Sequence, residues 1–430
     1  MTDPGLSLGL DLGTSGCRAC VLDAAGRRRA FAAVAWSGPF QDPETWWTGV
    51  LSVLDMVCRE VVPGALQSLA VDGTSGTVLA TDGQGTPVGP ALRYDDARAR
   101  AQAEAIARVA PPDSGAHGAS SGLAKALWIA ARDTGKQIRH VLSQADWITF
   151  RLGAPLGVSD DNNALKLGWD PLQQRWPRWI EALGLPRAWL PRVHRPGTPL
   201  GTVHEPLARR FGLSPGVRIV AGTTDSVAAT LAAGVRQPGE AVTVLGSTLV
   251  LKVLSPRPVH DPAHGVYSHR LGEHWLAGGA SNTGGAVLRR FFDPATLERL
   301  SRALEPDRPT GLDYYPLLRP GERFPVADPG LAPRLDPRPK DPARFLQGLL
   351  ESMARIEARG YRLLHALGAP YPRRVYTTGG GATNPAWTRI RSRILGVPVV
   401  PAQETEAACG VAQLGRLGVT ARHGPAARRR

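Results

Sequence analysis

The stretch LSLGLDLGTSGCRACVLDAAG, residues 6–26, reads as an apolar strand carrying one carboxylate at Asp11. It reverses tightly over Gly13, Thr14, Ser15 and Gly16 and resumes as a strand. Two readings fit. In a plain hairpin, glycine and hydroxyl residues only make the turn. In a phosphate-binding hairpin, bare backbone N–H groups and hydroxyls approach an anion closely. The rest of the chain decides between them.

A second stretch repeats the design. In VRIVAGTTDSVAATLAAGVRQPGEAVTVLGSTLVLKVLS, residues 217–255, a strand ends at Gly222, a helix begins near Thr224 and Gly234 closes it. An apolar strand follows, then a small polar turn at Gly246, Ser247 and Thr248, then another strand. Two strand–turn–strand units, one opening each half, imply a duplicated architecture. The expected domains are residues 1–222 and 223–430, in keeping with a 430-residue chain too long for one ordinary core.

Between these landmarks the pattern alternates. ETWWTGVLSVLDMVCREVV (44–62) has helical spacing at Trp47, Val50, Leu51, Leu54 and Val57, with Asp42 or Thr45 available as a cap. Residues 66–92 return to strands broken by glycine turns, and helices are expected at 96–110, at 120–135 and through LSQADWITFRLG. Later come a Pro-rich irregular connection (305–342) and a long helix (341–368). RVYTTGGGATNPAWTRIRSRILGVPVV (374–400) then gives strand, glycine run, helix and short strand. ETEAACGVAQLGRLG (404–418) is a small-residue helix suited to tight packing.

Composition narrows the function classes. Hydrophobic content of 43% and charged content of 20% mark a globular chain. No apolar run approaches a membrane span, and MTDPGLSLGL lacks the pattern of a signal peptide, so a cytoplasmic protein is expected. The formal charge of +14 raises nucleic acid as a partner. The arginines are scattered, however, with small clusters only at 26–30 and 421–430, and no zinc-finger, RRM or basic-zipper pattern occurs. A general bias toward Arg and Ala accounts for them, and neither nucleic acid nor membrane is an expected partner. CRAC (17–20) has CxxC spacing, but residues three apart on a strand point to opposite faces. Cys17, Cys20, Cys58 and Cys409 are therefore expected as free thiols without metal.

The usual phosphate cradles are missing: no GxxxxGK[ST] occurs, no GxGxxG follows a strand, and there is no HExxH. What remains is a set of glycine–hydroxyl turns at 13–15, 246–248 and 379–381, each after a strand. Each alone is weak evidence. In this order they suit two hairpins that hold phosphates and a glycine run that accepts a flat base or ribose.

In this combination the chain resembles the FGGY family of carbohydrate kinases. GLDLGTSGCRACVLD looks like the family's first phosphate motif, VLGSTLVLK its second and VYTTGGGATNPAWTRIRSRILGVPV its adenosine motif. SNTGGAVLRRFF and TEAACGVAQLG resemble the connecting helices, and VDGTSGTVLATDGQGTPVGPALRYDDARA the sugar side. The resemblance implies a two-domain α/β fold of the actin-like (ribonuclease H-like) type with a central cleft, and ATP with Mg²⁺ as cosubstrate and cofactor. DGTSGT, GTTDSVAATLAAG and LGSTLVLK are most similar to the compact cyanobacterial and plant D-ribulose kinases.

Phosphoryl transfer to an alcohol needs a metal to gather phosphate charge, donors to orient it and a carboxylate to take the hydroxyl proton. Asp225, in the first turn of a helix whose N-terminus favours its ionised form, matches the family's catalytic base. The resemblance also implies catalytic, metal and substrate roles for Asp11, and substrate contacts from Ser15, Ser75 and Asp225. It assigns ATP to Gly13, Thr14, Gly246, Ser247, Thr248, Gly380, Gly381 and Asn384, and leaves Asp72 a structural residue. Where many xylulose and glycerol kinases of the family carry Gln-Met-His or Gln-Arg-Glu, this chain has DGTSG, which implies a different sugar pocket. The expected reaction is ATP-dependent phosphorylation of a ketopentose, D-ribulose first, with D-xylulose or another small sugar or polyol as the alternative. A non-catalytic actin-like nucleotide switch would share both hairpins and the adenosine turn, but it needs no sugar-activating base.

Overall fold

A computed structural model describes residues 5–420, with side chains to residue 416. The basic tail at 421–430 lies outside the described residues. The chain divides into two compact units, residues 5–232 with 406–420, and residues 233–405.

The first unit contains the strands β1 (Leu6–Leu12), β2 (Gly16–Leu22), β3 (Arg28–Ala35), β4 (Leu66–Gly73), β5 (Val78–Thr81), β6 (His140–Ser143), β7 (Val158–Asp160), β8 (Arg192–His194), β9 (Pro199–Thr202) and β10 (Arg218–Thr224). Its helices are α1 (Pro43–Glu60), α2 (Arg100–Val109), α3 (Gly122–Ala130), α4 (Gln144–Leu152), α5 (Asp161–Leu165), α6 (Glu205–Phe211) and α7 (Asp225–Ala232). The second unit holds β11 (Glu240–Leu245), β12 (Leu249–Ser255), β13 (Tyr267–Leu271), β14 (His274–Ser281), β15 (Arg374–Thr378) and β16 (Val399–Pro401). Its helices are α8 (Gly285–Phe291), α9 (Pro294–Ser301), α10 (Pro342–Ala366) and α11 (Pro385–Leu395), and α12 (Ala407–Thr420) returns to the first unit.

The duplication is visible in the sheets. The first orders its strands β3-β2-β1-β4-β10-β9, the second β13-β14-β12-β11-β15-β16. In both, a tight antiparallel hairpin (β1–β2, β11–β12) is extended on one side by an antiparallel strand and on the other by two parallel ones, and a sixth strand, β9 in the first sheet and β13 in the second, adds antiparallel at one edge. Parallel strands need crossover connections, which is where the helices arise.

In the first unit, Leu6, Leu8, Leu10 and Leu12 alternate onto one face and bury against Trp46, Val50, Val53 and Val57 of α1. Asp42 caps α1 by accepting the Glu44 N–H, and Pro43 opens the first turn. The opposite face takes α12, and the approach is close. A Cβ on Gly9 would lie 2.0 Å from the Ala408 carbonyl oxygen, and one on Gly410 would lie 1.8 Å from that of Ala228 in α7. The small-residue helix packs as its composition implies.

Three expectations change here. The division drawn at 222 falls inside β10; the units part after α7, because α7 packs on α12, and the chain re-enters the first unit at 406. LSQADWITFRLG is a strand end followed by a helix, since Ser143 caps α4 in a capping box with Asp146. Cys20 is not a free thiol: it is disulfide-bonded to Cys409, with Cα atoms 5.0 Å apart, because α12 lies over β2. Cys17 and Cys58 are free, and burial pushes both thiols up, so neither is a reactive thiolate.

Candidate active site

In the first unit the candidate residues gather at the carboxyl ends of three adjacent parallel strands. Asp11 lies opposite Asp72 in the β1–β4 register and opposite Arg18 in β1–β2. Asp72 in turn lies opposite Thr223 of β10. Arg18 Nη1 donates to Asp11 at 3.3 Å, and its Nε lies 3.5 Å from Glu406. Asp72 is wholly buried, and neither of its oxygens meets a donor among the described residues. Burial pushes Asp72 well above the usual carboxylate range, and the nearby charges of Asp11 and Asp225 push the same way. Burial raises Asp11 as well, opposed by Asp72 and Arg18. Two ionised carboxylates side by side in a buried site repel, so burial and charge both favour a proton on Asp72.

Asp225 opens α7, half-buried, and its Oδ1 accepts the Ser226 N–H at 2.6 Å. A carboxylate at a helix N-terminus is favoured in its charged form. Just before it, the Thr224 hydroxyl is buried with no partner among the described residues. Thr223 is held from the side by Asn162 Nδ2 on its hydroxyl at 2.9 Å and by Asn163 Nδ2 on its carbonyl at 3.1 Å.

The turn after Asp11 is built on Trp36, whose Nε1 donates to the Gly13 carbonyl and whose N–H donates to that of Ser15. Thr14 and Ser15 are exposed, and their hydroxyls bond to no described residue. Ser75 lies two residues beyond Gly73, the register partner of Thr224. Its hydroxyl is buried and unpartnered, under a turn pinned by Thr74 on Thr77 and Gln144.

In the second unit the turn at 246–248 abuts the start of α8. Gly285 and Ala286 donate to the carbonyls of Gly246 and Ser247, and Arg289 Nη2 donates to Ser247 Oγ at 2.9 Å. A Cβ on Gly284, at φ +146°, would meet the Ser247 carbonyl oxygen at 2.7 Å. The 379–381 run follows β15, the parallel neighbour of β11, so both turns sit at one end of the same sheet. Its glycines differ. Gly380 faces open space, whereas a Cβ on Gly381 would strike Trp387 at 2.5 Å. Asn384 is spent on the fold: Oδ1 caps α11 by accepting the Trp387 N–H, and Nδ2 donates to Ser301.

The structure thus brings Asp11, Gly13, Thr14, Ser15, Ser75 and Asp225 into one unit, and Gly246, Ser247, Thr248, Gly380, Gly381 and Asn384 into the other. Sequence reading missed Arg18, Asn162, Asn163 and Arg289, and it read Asp72 as structural. Arg18 was open to discovery, because a two-residue strand offset from the turn places it opposite Asp11. Nothing in the local pattern marks Asn162 or Asn163.

The model of the FGGY family of carbohydrate kinases, N-terminal domain, matches residues 6–232, and that of its C-terminal domain matches residues 241–418. The chain belongs to the FGGY family of carbohydrate kinases. A xylulose kinase from Streptomyces coelicolor is 28% identical over 95% of this chain and 86% of its own length. Another from Streptomyces rubiginosus is 30% identical over 60% of this chain and 56% of its own. An autoinducer-2 kinase from Yersinia enterocolitica is 25% identical over 96% of this chain and 86% of its own. Among solved structures, a xylulose kinase from Brucella ovis superimposes with a TM-score of 0.86 at 24% identity, covering 97% of this chain and 91% of that one. A glycerol kinase from Plasmodium falciparum with ADP gives 0.79 at 16% identity, covering 97% and 90%. These likenesses establish the two-domain kinase fold, and the two family models make the chain a carbohydrate kinase. No described helix is long and apolar enough to cross a membrane.

Proposed function

We propose that this FGGY kinase transfers the γ-phosphoryl group of ATP to the terminal hydroxyl of a ketopentose, D-ribulose, giving the 5-phosphate. The observation that carries the reading is the half-buried Asp225 carboxylate at the head of α7, one strand away from the buried Asp11–Asp72 pair. The helix N-terminus favours the ionised carboxylate, which is the form that accepts a proton. Asp225 takes the hydroxyl proton as the sugar oxygen attacks phosphorus, and ADP leaves with the bond to its β-phosphate oxygen broken.

The other assignments follow from chemistry. Thr14 of the first turn, and Ser247 and Thr248 of the second, offer N–H groups and hydroxyls to phosphate, while Gly13 and Gly246 close those turns by donating to the carbonyls of Gly16 and Thr248. Gly380 leaves room for a flat ring, whereas Gly381 packs inward and Asn384 acts through the helix it caps. Ser15 and Ser75 are donors for sugar hydroxyls, and Ser75 is already desolvated without a partner.

A magnesium ion suits one end of this site. Among the described residues no group of three metal-binding side chains is gathered for a resident ion. Mg²⁺ that arrives with a nucleotide needs only one or two carboxylates beside phosphate and water. Asp11, facing a carboxyl whose oxygens lack donors, fits that demand. When bound, the ion would neutralise phosphate charge.

D-Xylulose is the second reading, favoured by the names of the Streptomyces relatives. The small DGTSG segment favours D-ribulose, since it omits the large side chains expected of xylulose and glycerol kinases. Coupled assays with D-ribulose, L-ribulose, D-xylulose and glycerol decide between them. ATP turnover should rise strongly with D-ribulose and least with glycerol. Asp225→Asn should abolish turnover with nucleotide affinity intact; loss of nucleotide binding instead would overturn the assignment of the base.

A further inference from the structure

We infer that Asn162 and Asn163 are positioning residues for Asp225, acting through Thr223; this rests on the reading of Asp225 as the base. The argument begins with β10. Its ladder with β4 is interrupted between Val220 and Thr223, and pairing resumes only at Thr223 and Thr224. The last two residues before Asp225 therefore hang on a short piece of sheet after an irregularity. A catalytic carboxylate placed there needs a second constraint.

That constraint comes from α5. Asp160 ends β7 and caps α5 by accepting the N–H groups of Asn162 at 2.8 Å and Asn163 at 3.1 Å. The cap fixes where both side chains start. Asn162 Nδ2 then donates to the Thr223 hydroxyl, and Asn163 Nδ2 donates to the Thr223 carbonyl and to Asp160 Oδ2, the latter at 2.6 Å. Asn162, Asn163, Asp160 and Thr223 are each at most 3% exposed.

With its side chain and its carbonyl both held, Thr223 has a fixed peptide plane toward Thr224. That plane sets the direction in which the chain enters α7, and so where the Asp225 Cα stands. The Ser226 N–H then orients the carboxylate locally. If packing were the only requirement, an apolar side chain would serve at 162 or 163 without the cost of desolvating a carboxamide. Two buried amides directed at one residue make sense as a geometric constraint. Displacements of about 1 Å at a reacting group cost about 100-fold in rate.

The test uses the full-length enzyme and an isosteric cycle. Asn162→Leu removes the donor, Thr223→Val removes the acceptor with shape kept, and Thr223→Ser restores a hydroxyl. Asn162→Leu and Thr223→Val should each lower kcat about 10- to 100-fold, the range a small misplacement produces. The KM for ATP should stay within about twofold and thermal midpoints near that of the parent, assayed well below melting. The double variant should be no slower than either single one, because both break the same link. Thr223→Ser should recover most of kcat.

Values of kcat within twofold of the parent for Thr223→Val, or additive losses in the double variant, would overturn the inference. Thr223→Val changes so little volume that a folding failure of Asn162→Leu still leaves it decisive. Asp225→Asn run in parallel separates the two claims: if it keeps turnover, the base is misassigned, whereas if it is dead and Thr223→Val is unaffected, only the positioning role fails.

Discussion

Asp160 and Asp146 are carboxyls that the catalytic reading does not use, yet they set how the first unit responds to pH. Burial, and then the charge of Asp146, push Asp160 up to about 8; burial alone lifts Asp146 to about 6. Both therefore bind protons more tightly folded than unfolded, where the ordinary value is 3.8. With more protons on the native state, the contribution of these two groups to stability is greatest at low pH and is lost as pH rises from about 4 toward about 8. Asp160→Asn keeps a helix cap and removes the titration. Its urea midpoint should fall less between pH 5 and pH 8 than that of the parent; an unchanged slope would show that Asp160 does not titrate there. The residue scale also separates what the sequence exposes from what it hides. Asp225 was legible as a candidate through its match to the family motif, since an Asp at a strand–helix junction would by itself serve as well to stabilise the helix start. Asp72 was read as structural, and its place opposite Asp11 was not legible because cross-strand partners are not written in local spacing.

At the scale of elements, the segment around the 379–381 glycine run rests on a buried ion pair that lies outside that run. Arg391 of α11 donates to both oxygens of Glu357 in α10, each bond 2.7 Å long, and to Thr377 of β15; Thr243 of β11 also donates to Glu357. Arg391 and Glu357 are each at most 1% exposed, so four elements meet on one desolvated pair. Removing one partner from such a pair typically costs about 3–5 kcal/mol, while replacing both by apolar residues is often neutral. Glu357→Leu should therefore lower unfolding stability in urea by about that amount, and Glu357→Leu with Arg391→Met should regain most of it. A double variant as weak as the single one would mean that the pair is not the source. Helix periodicity announced α10 and α11, and glycine after a strand announced the turn between β15 and α11. That an arginine on one helix would find a glutamate on another was set by packing.

At the scale of the molecule, the chain leaves the first unit after α7 and returns at α12, and a disulfide from Cys20 to Cys409 spans a sequence separation of 389 residues. Cross-linking residues so far apart restricts the unfolded chain, an effect of about 2–4 kcal/mol in most proteins. Cys409→Ser should lose about that much stability in non-reducing buffer. The difference should vanish when both proteins are unfolded in dithiothreitol; equal stability without reductant would show the bond does not form in solution. The sequence by itself determined the duplicated strand–turn–strand plan, the glycine–hydroxyl turns, the kinase family and the place of Asp225 at a strand–helix junction, because each is carried by residues within a few positions of one another. Only the tertiary structure decided that α12 belongs to the first unit, that Cys20 is paired, that Asp72 lies buried opposite Asp11 and that Asn162 and Asn163 hold Thr223. The reason is physical: strand pairing and helix packing bring together residues tens to hundreds of positions apart, and burial then turns that proximity into shifted protons, covalent bonds and fixed geometry.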